Sequence, residues 1–229
     1  MSAQVTVAQG DPVSTAAVTV DPTNSASRTS LRPLDHSPAG QVQGGHYRAS
    51  VLLTPNASLS AAGVWFSLRW TPTNMLFVLK RIRGVFVILT TITTGTPNDL
   101  AFFKYTGATA TGSGGTTFAP ASGQKSRTSN MANSLNTAMR FIASTVLTAD
   151  TGKTNDGKPF AQAGFTLPSL TVAGTTSAPL EFYKEDATGQ HPIVLGANEG
   201  IEGQVVTANA TSGTTQIYLD IEWAEVAVY

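Results

Sequence analysis

Hydrophobic and polar positions along the chain alternate mostly with the period of β-strands. Val64-Trp65-Phe66-Ser67-Leu68-Arg69-Trp70 sets Val64, Phe66, Leu68 and Trp70 to one side and Ser67 and Arg69 to the other, before Pro72 ends the run. Gln216 to Trp223 is cleaner still: Ile217, Leu219, Ile221 and Trp223 mark a core face, and Gln216, Tyr218, Asp220 and Glu222 an outer one. Further strands are predicted at His46 to Thr54, Leu100 to Tyr105, Gly164 to Leu167, Leu180 to Tyr183 and Ile193 to Leu195. Gly200 to Val206 reads as the first arm of a last hairpin, turned by Thr211-Ser212-Gly213. Met75 to Leu79 and Val85 to Ile92 are so dense in apolar residues that both faces are expected to be covered, as one long, bent strand or two consecutive strands with a bulge at Gly84.

One stretch carries a different period. Met131, Leu135, Met139, Ile142 and Val146 recur at spacings of four and three, which predicts a helix of about three turns capped by Ser126 or Ser129. Thr106 to Gln124, almost all Thr, Gly, Ala and Ser, reads as a long exposed, flexible loop, and Lys153 to Pro159 as a turn marked by Asp156-Gly157. Residues 1–30 hold no aromatic side chain and no strong apolar pattern; Ala17 to Val20 alone suggests an isolated strand. The expected architecture is mainly β: an extended N-terminal arm over 1–30, then a single β-sandwich or jelly-roll-like domain over 31–229 with one or two short helices.

Composition narrows the function. Of 229 residues, 14 are basic, 14 acidic and 12% charged, about half the usual share, while 33 Thr, 29 Ala, 21 Gly and 19 Ser take up the difference. A net charge of zero supplies no field to draw the chain onto nucleic acid or an anionic membrane, so neither is expected as a partner. The apolar run from Met75 to Leu89 is interrupted by Lys80, Arg81 and Arg83, too charged for a membrane span. Without Cys there is no disulfide, thiolate nucleophile or Cys-ligated zinc. The N-terminal residues show no secretory signal pattern, so Asn56-Ala57-Ser58 and Asn209-Ala210-Thr211 read as chance matches to a glycosylation acceptor.

Candidate chemistry is sparse. Asp35, His36 and Ser37 are neighbours in sequence, and adjacent side chains in an extended chain point apart, so they form no relay. His46 and His191 have no spacing suited to a metal. Gly112, Gly114 and Gly115 lack the lysine of a phosphate-binding loop. Asp220 and Glu222 share a strand face at roughly 6.5–7 Å, a spacing compatible with a glycosidase pair but ordinary for an outward strand face. Glu181, Glu185 and Asp186 read as a solvated acidic turn, and Lys80, Arg81 and Arg83 as cations with a salt-bridge or interface role, pairing with acids on a neighbour. The expectation is no enzyme, with no catalytic, cofactor-binding or metal-ligating residue.

Several phrases together resemble a recurring layout in structural proteins of tailed bacteriophages. These are Phe66-Ser67-Leu68-Arg69-Trp70, Lys80-Arg81-Ile82-Arg83, Arg140-Phe141-Ile142-Ala143, Gln190-His191-Pro192-Ile193-Val194-Leu195 with Asn198-Glu199-Gly200, and Ile221-Glu222-Trp223-Ala224-Glu225-Val226. The resemblance spans about residues 31 to 229 and lies in their order and spacing. It implies a non-enzymatic virion component with a jelly-roll-like core, capsid decoration (cement) proteins being the first expectation. Such a protein is assembled in the host cytoplasm, forms a homo-oligomer such as a trimer, and bridges major capsid subunits or other virion proteins. A tail or baseplate component is the alternative, and a receptor- or carbohydrate-binding module with Trp65 or Tyr218 as an exposed stacking platform a more distant one. In the Asn198-Glu199-Gly200 turn, Gly200 is expected to supply a positive φ and Asn198 a local cap.

Overall fold

The computed structural model describes residues 5–6, 17–18, 45–54, 62–93, 96–118, 133–142, 147–167, 172–185, 191–208 and 214–227. The chain divides into two compact units, Met1–Pro33 and Leu34–Tyr229. In the first, β1 (Val5–Thr6) pairs antiparallel with β2 (Ala17–Val18), so the strand expected near Ala17 is not isolated.

In the second unit the described residues form two antiparallel sheets, as a β-sandwich requires. One is seven-stranded, in the order β10 (Ala161–Leu167), β6 (Thr96–Thr106), β13 (Glu199–Val205), β4 (Val64–Trp70), β8 (Ala138–Phe141), β7 (Thr116–Phe118), with β9 (Thr154–Asn155) also on β6. The other is five-stranded: β11 (Leu180–Lys184), β5 (Leu76–Thr90), β14 (Thr214–Val226), β3 (Gly45–Leu53), with β12 (Val194–Leu195) also on β5.

Aromatic side chains from both sheets meet in the core. Tyr47 stacks on Trp223 at 5.8 Å, Trp223 on Phe77 at 5.7 Å, and Phe77 meets Trp70 of the seven-stranded sheet at 5.6 Å. Farther along, Phe102 meets Phe182 edge-on at 5.2 Å. Each such pair adds about 0.5–1.5 kcal/mol beyond the area it removes from water. β14 follows its sequence pattern: Ile217, Leu219, Ile221 and Trp223 are buried, while Tyr218 stays exposed. β4 departs from its pattern at one residue. Gly203 faces Phe66 and Gln204 faces Val64, so Trp65 is the extra residue of a bulge. The bulge turns the indole inward beside Phe66, where it meets Phe102 at 5.1 Å.

Three expectations are corrected. β5 is one strand, but its bulges fall at Lys80 and Leu89, while Gly84 stays in register with Leu219. A Cβ at Gly84 would press on the Phe182 ring at 3.2 Å, so packing against β11 explains the glycine. Because Lys80 is bulged, Leu79 goes into the core while Lys80, Arg81 and Arg83 stay partly exposed. Second, β13 and β14 make no hairpin. They lie in different sheets, and β13 sits between β4 and β6, buried on both faces from Gly200 to Gly203.

Third, no helix occurs among the described residues. Within the stretch read as helical, Ala138–Phe141 is β8, which joins β4 to β7. The apolar spacing is real, since Met139 and Ile142 are fully buried, but the backbone takes another course. Ser134 Oγ accepts from the Asn136 amide at 3.0 Å and Asn136 Oδ1 from the Ala138 amide at 3.3 Å. These local bonds compete with helical ones and form a turn leading into the strand. Met131 and Val146 lie outside the described residues. The turn expected at Asp156-Gly157 lies between β9 and β10, which both pair with β6; residues 156–160 are an excursion between them, held at Asp156 and Phe160.

Candidate functional site

The densest polar chemistry lies on the outer face of the seven-stranded sheet. Register places Ser67 of β4 and Phe103 of β6 on either side of Glu202 of β13, and Arg69 and Tyr105 on either side of Gly200. Two segments lie over this face, 107–115 and 147–153, stitched together by bridges at Ala110–Thr151 and Gly114–Leu147. The loop read as exposed and flexible is therefore bonded in over its described part: Ala108 is 2% exposed, and Gly112 is so close to the Thr148 and Ala149 carbonyls that a Cβ would collide. Residues 119–124 lie outside the described residues.

Asp150 holds these pieces together. Only 4% exposed, it accepts from Ser67 Oγ at 2.8 Å, from the Tyr105 hydroxyl and from the Gly112 amide. Tyr105 reaches it because Gly200 has no side chain; a Cβ there would run into the tyrosine ring and the Leu68 carbonyl. Gly200 is thus explained by close approach, and the positive φ of the turn belongs instead to Asn198, at 65°. Asn198 Oδ1 accepts from Arg69 Nη2 at 2.7 Å and its backbone amide donates to the Trp70 carbonyl, so the side chain ties the turn to β4 instead of capping it locally. Burial, then the Asp150 charge, pushes the Tyr105 hydroxyl well above its ordinary range.

Beside Tyr105 lies an ion pair with little access to water. Lys153 Nζ meets Glu202 Oε2, with side chains 11% and 1% exposed, and sits 5.2 Å from the Tyr105 ring centroid. Gln204 Nε2 donates to the other oxygen, Glu202 Oε1, at 2.5 Å. Burial lowers the Lys153 amine from its ordinary range, opposed by the charge of Asp150. None of Asp150, Lys153, Glu202 or Tyr105 stood out in the sequence. Glu202 and Gln204 alternate with Ile201 and Val205 and so read as the outward face of an ordinary half-buried strand, which hid the burial of Glu202.

A third buried carboxylate, Glu225, is 1% exposed near the end of β14. Its Oε1 accepts from Ser134 Oγ and from Trp223 Nε1 at 3.0 Å, and its Oε2 from the Leu135 amide at 3.0 Å. Burial raises its carboxyl above the ordinary range despite these bonds, and burial with the Glu225 charge raises the Tyr47 hydroxyl. Leu135 also lines an open recess with Thr71, Pro72, Asn74, Met75 and Thr137, which contributes no titratable side chain.

The outer face of the five-stranded sheet carries the charges singled out in the sequence. Asp220 accepts from Arg48 Nη2 at 3.0 Å, from Arg83 Nη2 and Nε at 2.8 Å and from Ser50. Arg81 pairs with Glu181 at 2.8 Å and Lys80 with Glu185 at 2.5 Å. All three cations thus take the salt-bridge role expected of them, with acids of their own chain. The Asp220 carboxyl feels burial pushing it up, but bonds from Ser50, Arg83 and Arg48 outweigh that and lower it. For Asp220 that direction is opposite to what a general acid needs. Next to this charged row, Tyr218 faces Leu52 on one side and Val85 on the other; Tyr218 is 53% and Leu52 39% exposed. Trp65, fully buried, is no stacking platform.

His191 is exposed, His46 lies on β3, and His36 is outside the described residues, as are Asp186 and both glycosylation-like triplets. Among the described residues no three His, Cys, Asp or Glu side chains are placed to hold a metal ion. No protein-family model, curated protein or solved structure matches the chain.

Proposed function

We propose that this protein is a non-enzymatic structural part of a bacteriophage particle, a decoration protein that stabilises the head by bridging capsid subunits as a homo-oligomer. One observation carries the reading: the outer face of the five-stranded sheet. Its exposed Tyr218 and Leu52 form an apolar row, and the charges beside that row are neutralised within the chain. A face with apolar anchors and internally satisfied charges loses little solvation when another protein covers it. Covering weak seams of a shell adds buried area, and whatever binds the assembled state raises the free energy needed to open it. The resemblance in the order of motifs from Phe66 to Val226 points the same way.

The test uses particles assembled with and without the protein. Particles lacking it should burst at lower temperature or weaker osmotic shock, and Tyr218→Glu with Leu52→Glu should abolish attachment while the purified chain stays folded. Equal burst thresholds, or protein density located on the tail, would overturn the head reading.

A further inference from the structure

We propose that Lys153 and Glu202 condense to an intramolecular amide, a covalent link between the segment before β9 and the strand β13. The geometry that carries this is the pair on the outer face of the seven-stranded sheet. Lys153 Nζ meets the Glu202 carboxyl where water has almost no access: the side chains are 11% and 1% exposed. The Tyr105 ring forms one wall, and Asp150, bonded to the Tyr105 hydroxyl, anchors the segment that carries Lys153.

Two separate features favour condensation over a permanent ion pair. A buried ammonium and carboxylate have lost their hydration, and converting both to one neutral amide removes that cost. Reacting groups held in contact also escape the entropic penalty of meeting, which raises the effective concentration of amine at the carboxyl carbon by orders of magnitude. Burial lowers the Lys153 amine, so the neutral nucleophile is more accessible here than on the surface.

The step balances without any other reactant. A proton passes from the ammonium to Glu202 Oε2, leaving a free amine and a carboxylic acid. Nζ attacks Cδ, the Nζ–Cδ bond forms, and the negative charge that develops on Oε1 meets the amide N–H of Gln204, already bonded to it at 2.5 Å. The Cδ–Oε2 bond then breaks, Oε2 leaves with a second proton from Nζ as water, and a neutral secondary amide remains. Nothing is oxidised or reduced. The same exclusion of water that favours the forward step disfavours hydrolysis.

The experiment is intact-mass spectrometry of the denatured full-length protein, followed by peptide mapping. The expected mass is lower than the sequence mass by one water, after allowing for any loss of Met1. The map should show a branched peptide joining Lys153 to Glu202, with no tryptic cleavage after Lys153. A partial loss that grows on incubation of the folded protein supports the same conclusion. The full sequence mass with a free Lys153 overturns the proposal and leaves an ion pair only; a water lost elsewhere in the map overturns it equally. The double variant Lys153→Met with Glu202→Gln should keep its own full mass, a readout that does not depend on its folding. A water loss in that variant would also refute the link.

Discussion

Replacing Asp150 by Asn tests whether one buried carboxylate holds the two overlying segments on the seven-stranded sheet. The substitution keeps the shape and changes one oxygen to an NH2 group. Oδ2 accepts from Ser67 and Tyr105 and Oδ1 from the Gly112 amide. An asparagine keeps its oxygen on the Gly112 N–H and offers its NH2 to the two hydroxyls, which then accept, the Tyr105 proton turning to the Leu68 carbonyl at 3.1 Å. All three bonds lose the charged partner, roughly 1 kcal/mol each, while removal of a buried charge gives part of this back. The net loss is about 1–3 kcal/mol, which for a chain of this size lowers Tm by about 2–12 °C. Urea denaturation reads the global cost, and amide exchange at Gly112, Thr109 and Thr148 reads the local one, because all three amides bond between the two overlying segments. A loss below about 0.5 kcal/mol with unchanged exchange at Gly112 would refute the assigned role.

Gly200→Ala should be among the most damaging single-methyl changes in the protein. Its Cβ meets the Leu68 carbonyl and the Tyr105 ring, and displacing Tyr105 also breaks its bond to Asp150; a loss of about 3 kcal/mol or more in urea unfolding is expected. Glu225→Gln should alter the pH dependence of stability. The folded-state carboxyl is raised, so wild-type stability is fully present below the ordinary carboxylate range and declines as pH rises through the raised value. The variant should lack that decline, and parallel urea midpoints for the two proteins across this range would refute it. Asp220→Asn removes a lowered carboxyl whose contribution is present above the ordinary carboxylate range and lost as pH falls below it. The cost near neutral pH should be about 1 kcal/mol and should shrink in high salt, as expected for a largely exposed ion network.

Where a strand buries one face, the sequence announces it. β14 and β3 are legible because alternate residues meet opposite environments, and a mistake of one residue would expose Ile221 or Trp223. β4 is legible in extent but not at Trp65, because a bulge is decided by the partner strand, here by the space at Gly203. The segment around Met139 failed for a related reason. Apolar spacings of three and four fit a helical stripe, but Met139 and Ile142 also fill a sandwich core from a short strand and the residue after it, and the choice was made by Ser134, Asn136 and the open edge of β4. The polar cluster was hidden for another reason. Asp150, Tyr105, Ser67 and Glu202 lie far apart in sequence, each on its own unremarkable, and only the pairing of β13 with both β4 and β6 assembles them.

The placement of β14 has a consequence for how the protein is made. This strand lies between β5 and β3, yet residues 91–213 separate it from β5. During synthesis β3 and β5 emerge early and wait, with the edges that β14 will occupy unpaired, until more than half of the chain has followed. Ribosome-bound chains that stop before Thr214 should therefore hold an incomplete five-stranded sheet, open to pairing with other nascent copies. Closure of the sheet depends on contacts between distant parts of the chain, which makes it slow by nature and exposed to association with other chains until it is complete.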